Sequence, residues 1–161
     1  MAAKATYEET DIDLCPDDWC IVKVKACGIC SSDVPRVFTK GTYHFPTIPG
    51  HEFSGIVQSV ANCKHSGLVG KKVGVFPLIP CRQCDQCAQK HFELCKNYDY
   101  LGSRRNGGFA ECVAVPVWNL VQLPESVSFT EGAMLEPLAV ALHAVKIGRV
   151  CSGDNVAVVG T

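Results

Sequence analysis

The sequence predicts a mainly β domain, a barrel or sandwich of antiparallel strands followed by one apolar helix. Three observations carry this. Cys20 to Ala26 alternates apolar and charged residues, as a strand with one wet face does. Phe53 to Val60 is rich in β-branched residues, and Lys72 to Phe76 is a shorter run of the same kind. Glycine and proline at Pro49, Gly50, Gly67, Gly70, Pro77 and Pro80 punctuate these runs, so the connections read as turns and loops rather than helices. The chain has 161 residues, 47% hydrophobic and 19% charged, with a formal net charge of −1. That is enough for one core, and too apolar and too weakly charged for a disordered chain.

The later elements follow the same logic. Phe109 to Val115 and Asn119 to Leu123 continue the strand pattern after Gly107-Gly108. The character changes near Glu131. Pro137 suits the first position of a helix, Leu138 to Ile147 is apolar almost all round, and Gly148 is placed to end it. Such a helix is expected to be buried on most faces. Asn155 to Val159 then reads as a fully buried strand running into Gly160. On the residues alone it is either an ordinary final strand or the first strand and first glycine of a phosphate-binding turn.

Near-neutral charge gives no general drive toward nucleic acid or an anionic membrane, and neither is expected as a partner. The middle of the chain is basic, with twelve Lys/Arg against five Asp/Glu from Ile21 to Arg105. Arg36, Lys40, Arg104 and Arg105 are either solvated surface or a welcome for a phosphorylated substrate. The first twenty residues hold Glu8, Glu9, Asp11, Asp13, Asp17 and Asp18 against Lys4 and lack the apolar stretch of a secretory signal, so a cytoplasmic location is expected. The apolar stretch from Pro137 to Val145 is far shorter than the roughly 20 residues that span a bilayer.

Eleven cysteines are the anomaly. Cys81, Cys84 and Cys87 follow one another at Cys-x-x-Cys spacing, and Cys95 comes after seven more residues. Four thiolates close a tetrahedral zinc shell with no position left for water, so this is a structural zinc site. Bacterial ferredoxin spacing would need three residues before the last cysteine and a proline after it, whereas Lys96 follows here. Few large apolar residues lie between Pro80 and Lys96, so metal must stand in for a core there. Cys15, Cys20, Cys27, Cys63, Cys112 and Cys151 show no spacing that makes a further site, and buried thiols are expected.

Cys30 and the pair His51-Glu52 form a second constellation, each introduced by glycine-bearing turns. Cysteine, histidine and a carboxylate meet the need of a catalytic zinc for three protein ligands, provided the two loops converge. Taken singly, Cys30 also reads as a buried thiol and His51 as a packed histidine. Glu136, just ahead of the Pro137 helix, is either another metal carboxylate or an N-cap.

The order GICSSD at Gly28 to Asp33, PGHEFSG at Pro49 to Gly55, the four-cysteine lobe, GGFAE at Gly107 to Glu111, LEPLAVALHA at Leu135 to Ala144 and VAVVG at Val156 to Gly160 resembles the zinc-dependent medium-chain alcohol and polyol dehydrogenases. Glu136 and the run Asn97 to Glu111 are most similar to the sorbitol-type branch. The resemblance implies a GroES-like barrel with a structural-zinc lobe over 1–148. It also implies the opening strand of a dinucleotide-binding Rossmann domain over 149–161, with the family's usual first strand missing ahead of Tyr7.

From the same resemblance come two zincs per chain. Cys30, His51 and Glu136 are implied as catalytic ligands, with Glu52 beside the metal, and the third protein ligand is open between Glu136 and Glu52. Ser32 is implied to relay the substrate proton, and Asp33 to orient the metal-bound histidine. NAD or NADP would accept hydride from a secondary alcohol of a polyol or polyol phosphate, and Arg36, Arg104 and Arg105 are candidates to hold a phosphate. No residue of the chain carries the nucleotide fingerprint, so these 161 residues are expected to hold zinc without turning over, and the full enzyme to be a homo-oligomer. The competing expectation is a zinc-stabilised binding module, or a dehydrogenase for another polyol such as sorbitol.

Overall fold

The computed structural model describes residues 6–12 and 16–159. Its centre is a five-stranded antiparallel sheet in the order β6-β1-β2-β3-β7. The strands are β1 (Trp19–Gly28), β2 (Glu52–Val60), β3 (Lys72–Val75), β6 (Cys112–Pro116) and β7 (Leu120–Gln122). All were expected, β1 from its alternation and the others from their β-branched or strand-like runs, within a few residues. Cys20 and Val22 of β1 are buried while Lys23 and Lys25 are exposed, and Cys20 and Val22 face Val115 and Val113 across the β6 register. Phe53, Val57, Val73, Val75 and Leu101 complete the core, each buried branched side chain contributing about 1.5–3 kcal/mol of transfer free energy.

A two-stranded pair, β4 (Leu78–Ile79) with β5 (Asp99–Tyr100), closes the base of the cysteine lobe. Its two-residue strands are too short to leave a periodic signal. Connections expected as plain loops contain helical turns: α1 (Asp33–Pro35) continued by a π-helical turn at Arg36–Lys40, a 3₁₀ segment at Cys63–Leu68, and α2 (Asp85–Ala88). Phe109 to Glu111 is not strand, because these residues bridge from the Gly107-Gly108 turn into β6.

Helix α3 (Phe129–Ala133) packs on β1, β2 and β3 and begins with a capping box. The Ser128 hydroxyl accepts from the Glu131 N–H at 3.1 Å, and the Glu131 carboxylate accepts from the Ser128 N–H at 2.7 Å. Ser128→Ala should cost about 1 kcal/mol, read as a lowered urea midpoint at unchanged slope.

Three expectations fail. Helix α4 (Leu135–Ile147) starts two residues before Pro137, so proline is the third helical residue and Glu136 lies in the first turn instead of capping. It is not buried on most faces: Leu138, Val140, Leu142 and Ile147 are 52–68% exposed, since only the start of the helix meets β2 and β3. Asn155 to Val159 forms no strand and is exposed, because no neighbouring strand offers it a ladder. Cys15, Gly160 and Thr161 lie outside the described residues. Among the described residues no helix is long and apolar enough to cross a membrane.

Candidate metal centre and substrate cleft

Strand pairing settles whether the two loops converge. In the β1/β2 register Gly28 faces Glu52 and Cys27 faces Phe53. The end of β1 therefore lies beside the start of β2, and Cys30, two residues past one end, reaches His51 and Glu52 at the other. One ligand atom from each of Cys30, His51 and Glu52 falls in a group whose members all lie within 4.8 Å of one another. Gly28 is required for this. A Cβ there would meet the Glu52 carboxylate, so only glycine leaves that side chain its place.

Asp33 ties the same loop together. It is 2% exposed; its Oδ2 accepts from the Cys30 N–H at 3.1 Å, and its Oδ1 stands 3.4 Å from Nδ1 of His51. That last contact is too poorly aligned to be a hydrogen bond, and His51 Nδ1 is a buried nitrogen without a partner. Asp33 thus caps the Cys30 turn and stands beside the His51 ring without bonding to it. Burying an imidazole with an unmatched nitrogen beside a thiol and a carboxylate is unfavourable unless a cation gathers them, and soft sulfur with nitrogen and oxygen donors suits zinc.

The three groups open into a cleft of about 550 Å³, a size that admits a small ligand. Ser32, Arg36, Tyr43, Tyr98, Tyr100 and Glu136 also line it, together with Glu93 from the cysteine lobe. A smaller hollow of about 340 Å³ adjoins it, sharing Ser32, Arg36 and Tyr43 and adding Lys40. Nη1 of Arg36 donates to the Ser32 hydroxyl oxygen at 2.9 Å.

Glu136 reaches the cleft without joining the group of three; its Oε1 accepts from the Tyr100 hydroxyl at 3.1 Å. Burial, and then the Glu136 charge, push the Tyr100 phenol above its usual range. The Tyr100 ring stands edge-on to His51 at 5.9 Å. Nothing local in the sequence marks Tyr100 or Glu93, which the lobe carries to the cleft.

The other two arginines are not brought to the cleft. Arg104 lies between the rings of Tyr43 and Tyr98, at 4.3 and 4.5 Å, so it stands behind the aromatic wall. Arg105 pairs with Asp99 and covers Trp19. Each is occupied by neighbours that the folded turn supplies.

The four sulfurs of Cys81, Cys84, Cys87 and Cys95 all lie within 4.8 Å of one another. Cys81 to Cys87 and Cys84 to Cys95 are both 4.0 Å, near the roughly 3.8 Å edge of a tetrahedron with 2.3 Å metal–sulfur bonds and twice the length of a disulfide. Backbone N–H groups of Lys96 and Cys87 lower the Cys84 thiol to about 6, while burial raises Cys87 to about 12. The donor set fits a structural zinc.

A family model for the alcohol dehydrogenase GroES-like domain matches residues 16–125. The chain is 39% identical over 139 residues to galactitol 1-phosphate 5-dehydrogenase of Escherichia coli K12, covering 86% of this chain and 40% of that protein. L-idonate 5-dehydrogenase of Vitis vinifera is 36% identical over 145 residues, covering 87% and 40%. The crystal structure of galactitol-1-phosphate dehydrogenase from Escherichia coli superposes with a TM-score of 0.80 at 38% identity, over 89% of this chain and 42% of that one. A short chain alcohol dehydrogenase from Escherichia coli CFT073, complexed with NADH, gives 0.80 at 31% identity over 87% and 41%. The chain thus spans about 40% of the length of the curated relatives it matches. By the match across its strands and cysteine lobe, the chain belongs to the alcohol dehydrogenase GroES-like domain family.

Proposed function

We propose that this chain is the zinc-holding substrate domain of an NAD(P)-dependent dehydrogenase that oxidises a secondary alcohol of a polyol or polyol phosphate, of the galactitol 1-phosphate type. The convergence of Cys30, His51 and Glu52 at the floor of the cleft carries this reading. Similarity to enzymes named for galactitol 1-phosphate and L-idonate supports the polyol class, and the NADH-bound relative supports the nucleotide. Residues 149–161 would begin the dinucleotide-binding domain.

Cys30, His51 and a carboxylate would hold zinc, which would supply Lewis-acid polarisation of a substrate hydroxyl. Ser32 would take the proton of that hydroxyl on the free lone pair of its own hydroxyl oxygen and release its own proton to water in the open cleft, while Arg36 donates to the same oxygen and orients it. Asp33 holds the Cys30 backbone and stands 3.4 Å from the His51 ring on the facing turn, where it would orient the imidazole. Arg36, with Lys40 in the adjoining hollow, presents positive charge where an anionic end of the substrate would lie.

Elemental analysis of metal-replete protein should give near two zincs per chain, falling to near one in Cys30→Ala; one zinc in both would favour a binding module without catalysis. With zinc present, Arg36→Met should weaken binding of galactitol 1-phosphate by 10-fold or more, as expected for a lost charge-assisted hydrogen bond worth roughly 1.5–3 kcal/mol, and change galactitol binding by less than about 3-fold. Equal effects on both ligands by calorimetry would remove Arg36 from the phosphate role.

A further inference from the structure

The segment from Arg36 to Thr47 borders the cleft without a core of its own: none of its residues is buried, and Phe38, Tyr43 and Phe45 are more than half exposed. It nonetheless carries Arg36, Lys40 and Tyr43, and Tyr43 lines both hollows. The ring contact and the hydrogen bond that reach out from it to a distant loop both fall on Arg104. The Tyr43 ring lies 4.3 Å from the Arg104 guanidinium, and Nε2 of His44 donates to the Arg104 carbonyl at 2.9 Å. The same guanidinium meets the Tyr98 ring at 4.5 Å, Tyr98 meets Tyr100 at 6.4 Å, and Tyr100 meets His51 at 5.9 Å. A row of rings thus runs from the exposed segment to the imidazole at the cleft floor, and Arg104 is its outermost link. Nε of Arg104 is buried without a hydrogen-bond partner among the described residues, so this side chain is sealed among its neighbours instead of being offered to a ligand. A planar guanidinium can stack against two rings at once, which a compact ammonium does poorly.

We propose that Arg104 is a positioning residue for the substrate: by clamping Tyr43 to Tyr98 it fixes the Arg36 to Thr47 segment as a wall of the cleft, against which the carbon chain of the polyol lies. The proposal rests on the reading of the cleft as a polyol site. A polyol presents C–H groups between its hydroxyls, and an aromatic wall packs against them whether or not a phosphate ends the chain. Arg104 therefore acts on the part that both ligands share, whereas Arg36 acts on the anionic end. A segment without its clamp would have to be ordered at each binding event, and that cost lowers affinity.

Calorimetry on the zinc-loaded chain with galactitol and with galactitol 1-phosphate tests this. Arg104→Met should weaken both ligands by 5-fold or more, and to the same extent within 2-fold. Tyr43→Leu should do likewise. The double variant should be no more than 2-fold below the more affected single variant, because both changes open one clamp. Chymotryptic cleavage at Phe38 should accelerate by 10-fold or more in Arg104→Met. In cobalt(II)-loaded protein the charge-transfer band of the four-thiolate lobe and the visible bands of the Cys30 site should keep their wild-type intensity, which separates a displaced wall from a disrupted fold. Losses that multiply in the double variant would overturn the proposal, as would unchanged binding of both ligands. A loss confined to galactitol 1-phosphate would overturn it too, by returning Arg104 to the phosphate. If Arg104→Met loses the cobalt bands, Tyr43→Leu, at a side chain 65% exposed, decides by the same equality between the two ligands. Wild-type protein that binds neither ligand would overturn the reading of the cleft as a polyol site, a different result from these.

Discussion

Removing the metal from the four-cysteine lobe should unfold residues 81–96 while the five-stranded sheet survives. In that stretch only Cys87 and Cys95 are buried, both of them in the four-sulfur group, and Leu94 is 58% exposed. There is no apolar core to hold the lobe once the sulfurs are released. Arg82 and Lys90 both sit at positive φ, 60° and 63°, a conformation unfavourable to residues with a Cβ. Outside the sulfurs, the lobe is tied down by Lys96 on Asp85 at 2.8 Å and by Arg82 and Phe92 against Trp118, all of modest strength. Structural zinc contributes about 10–16 kcal/mol in isolated finger peptides, far more than these contacts. Limited trypsinolysis after chelation should therefore accelerate at Arg82, Lys90 and Lys96 by 100-fold or more, with the sheet signal in far-ultraviolet dichroism retained. An unchanged cleavage pattern on protein shown to be zinc-free would mean the lobe is held by packing after all. Because β4 and β5 close the lobe and carry Tyr100, and the lobe itself carries Glu93, chelation should also loosen the wall of the substrate cleft.

What the sequence reveals of this site follows the distance over which each part is determined. The cysteine lobe is legible because four donors lie within one short segment, and their spacing alone defines a shell. Cys30 and His51 are twenty-one positions apart, and only the Gly28 to Glu52 register makes them neighbours. Spacing could nominate that trio but not assemble it. Tyr100 carries no local signal at all, since its place in the cleft depends on two-residue strands closing around the lobe. Arg105 shows the reverse case: its positive charge reads as either solvated surface or available for a ligand, and the fold pairs it with Asp99. In α4 the apolar pattern states that the helix wants a partner, and cannot state that the partner lies among these residues. The same holds for Val156 to Val159, whose β-branched run forms a strand only beside another.

Gly107→Ala should be among the most damaging single methyls in the domain. Gly50 adopts φ +94° and Gly102 φ +80°, so two tight backbones meet where the PGHE turn packs on the Gly102 to Gly108 loop. The Gly107 N–H donates to the Ile48 carbonyl at 2.8 Å, the Gly108 N–H to the Gly50 carbonyl at 2.7 Å, and the Phe109 N–H to the Pro49 carbonyl at 3.0 Å. A Cβ on Gly107 would overlap the Gly50 carbonyl oxygen and the Gly102 Cα, and would stand 2.7 Å from the Gly102 nitrogen. All three are backbone atoms, so no side-chain rotation relieves the clash and the three-bond ladder must open. A loss of about 3 kcal/mol or more in urea unfolding is expected. Gly67→Ala is the control, because nothing lies within 4 Å of its added methyl, and it should fall within about 0.5 kcal/mol of wild type or be slightly stabilising. Gly50 directly precedes His51, so the same methyl displaces the imidazole from Cys30 and Glu52. Cobalt binding at that site should weaken in Gly107→Ala under conditions where the protein is still folded, while the four-thiolate band is unaffected. Wild-type affinity there would show that the turn holds His51 without help from the opposing loop, and would leave the glycine pair a purely structural role.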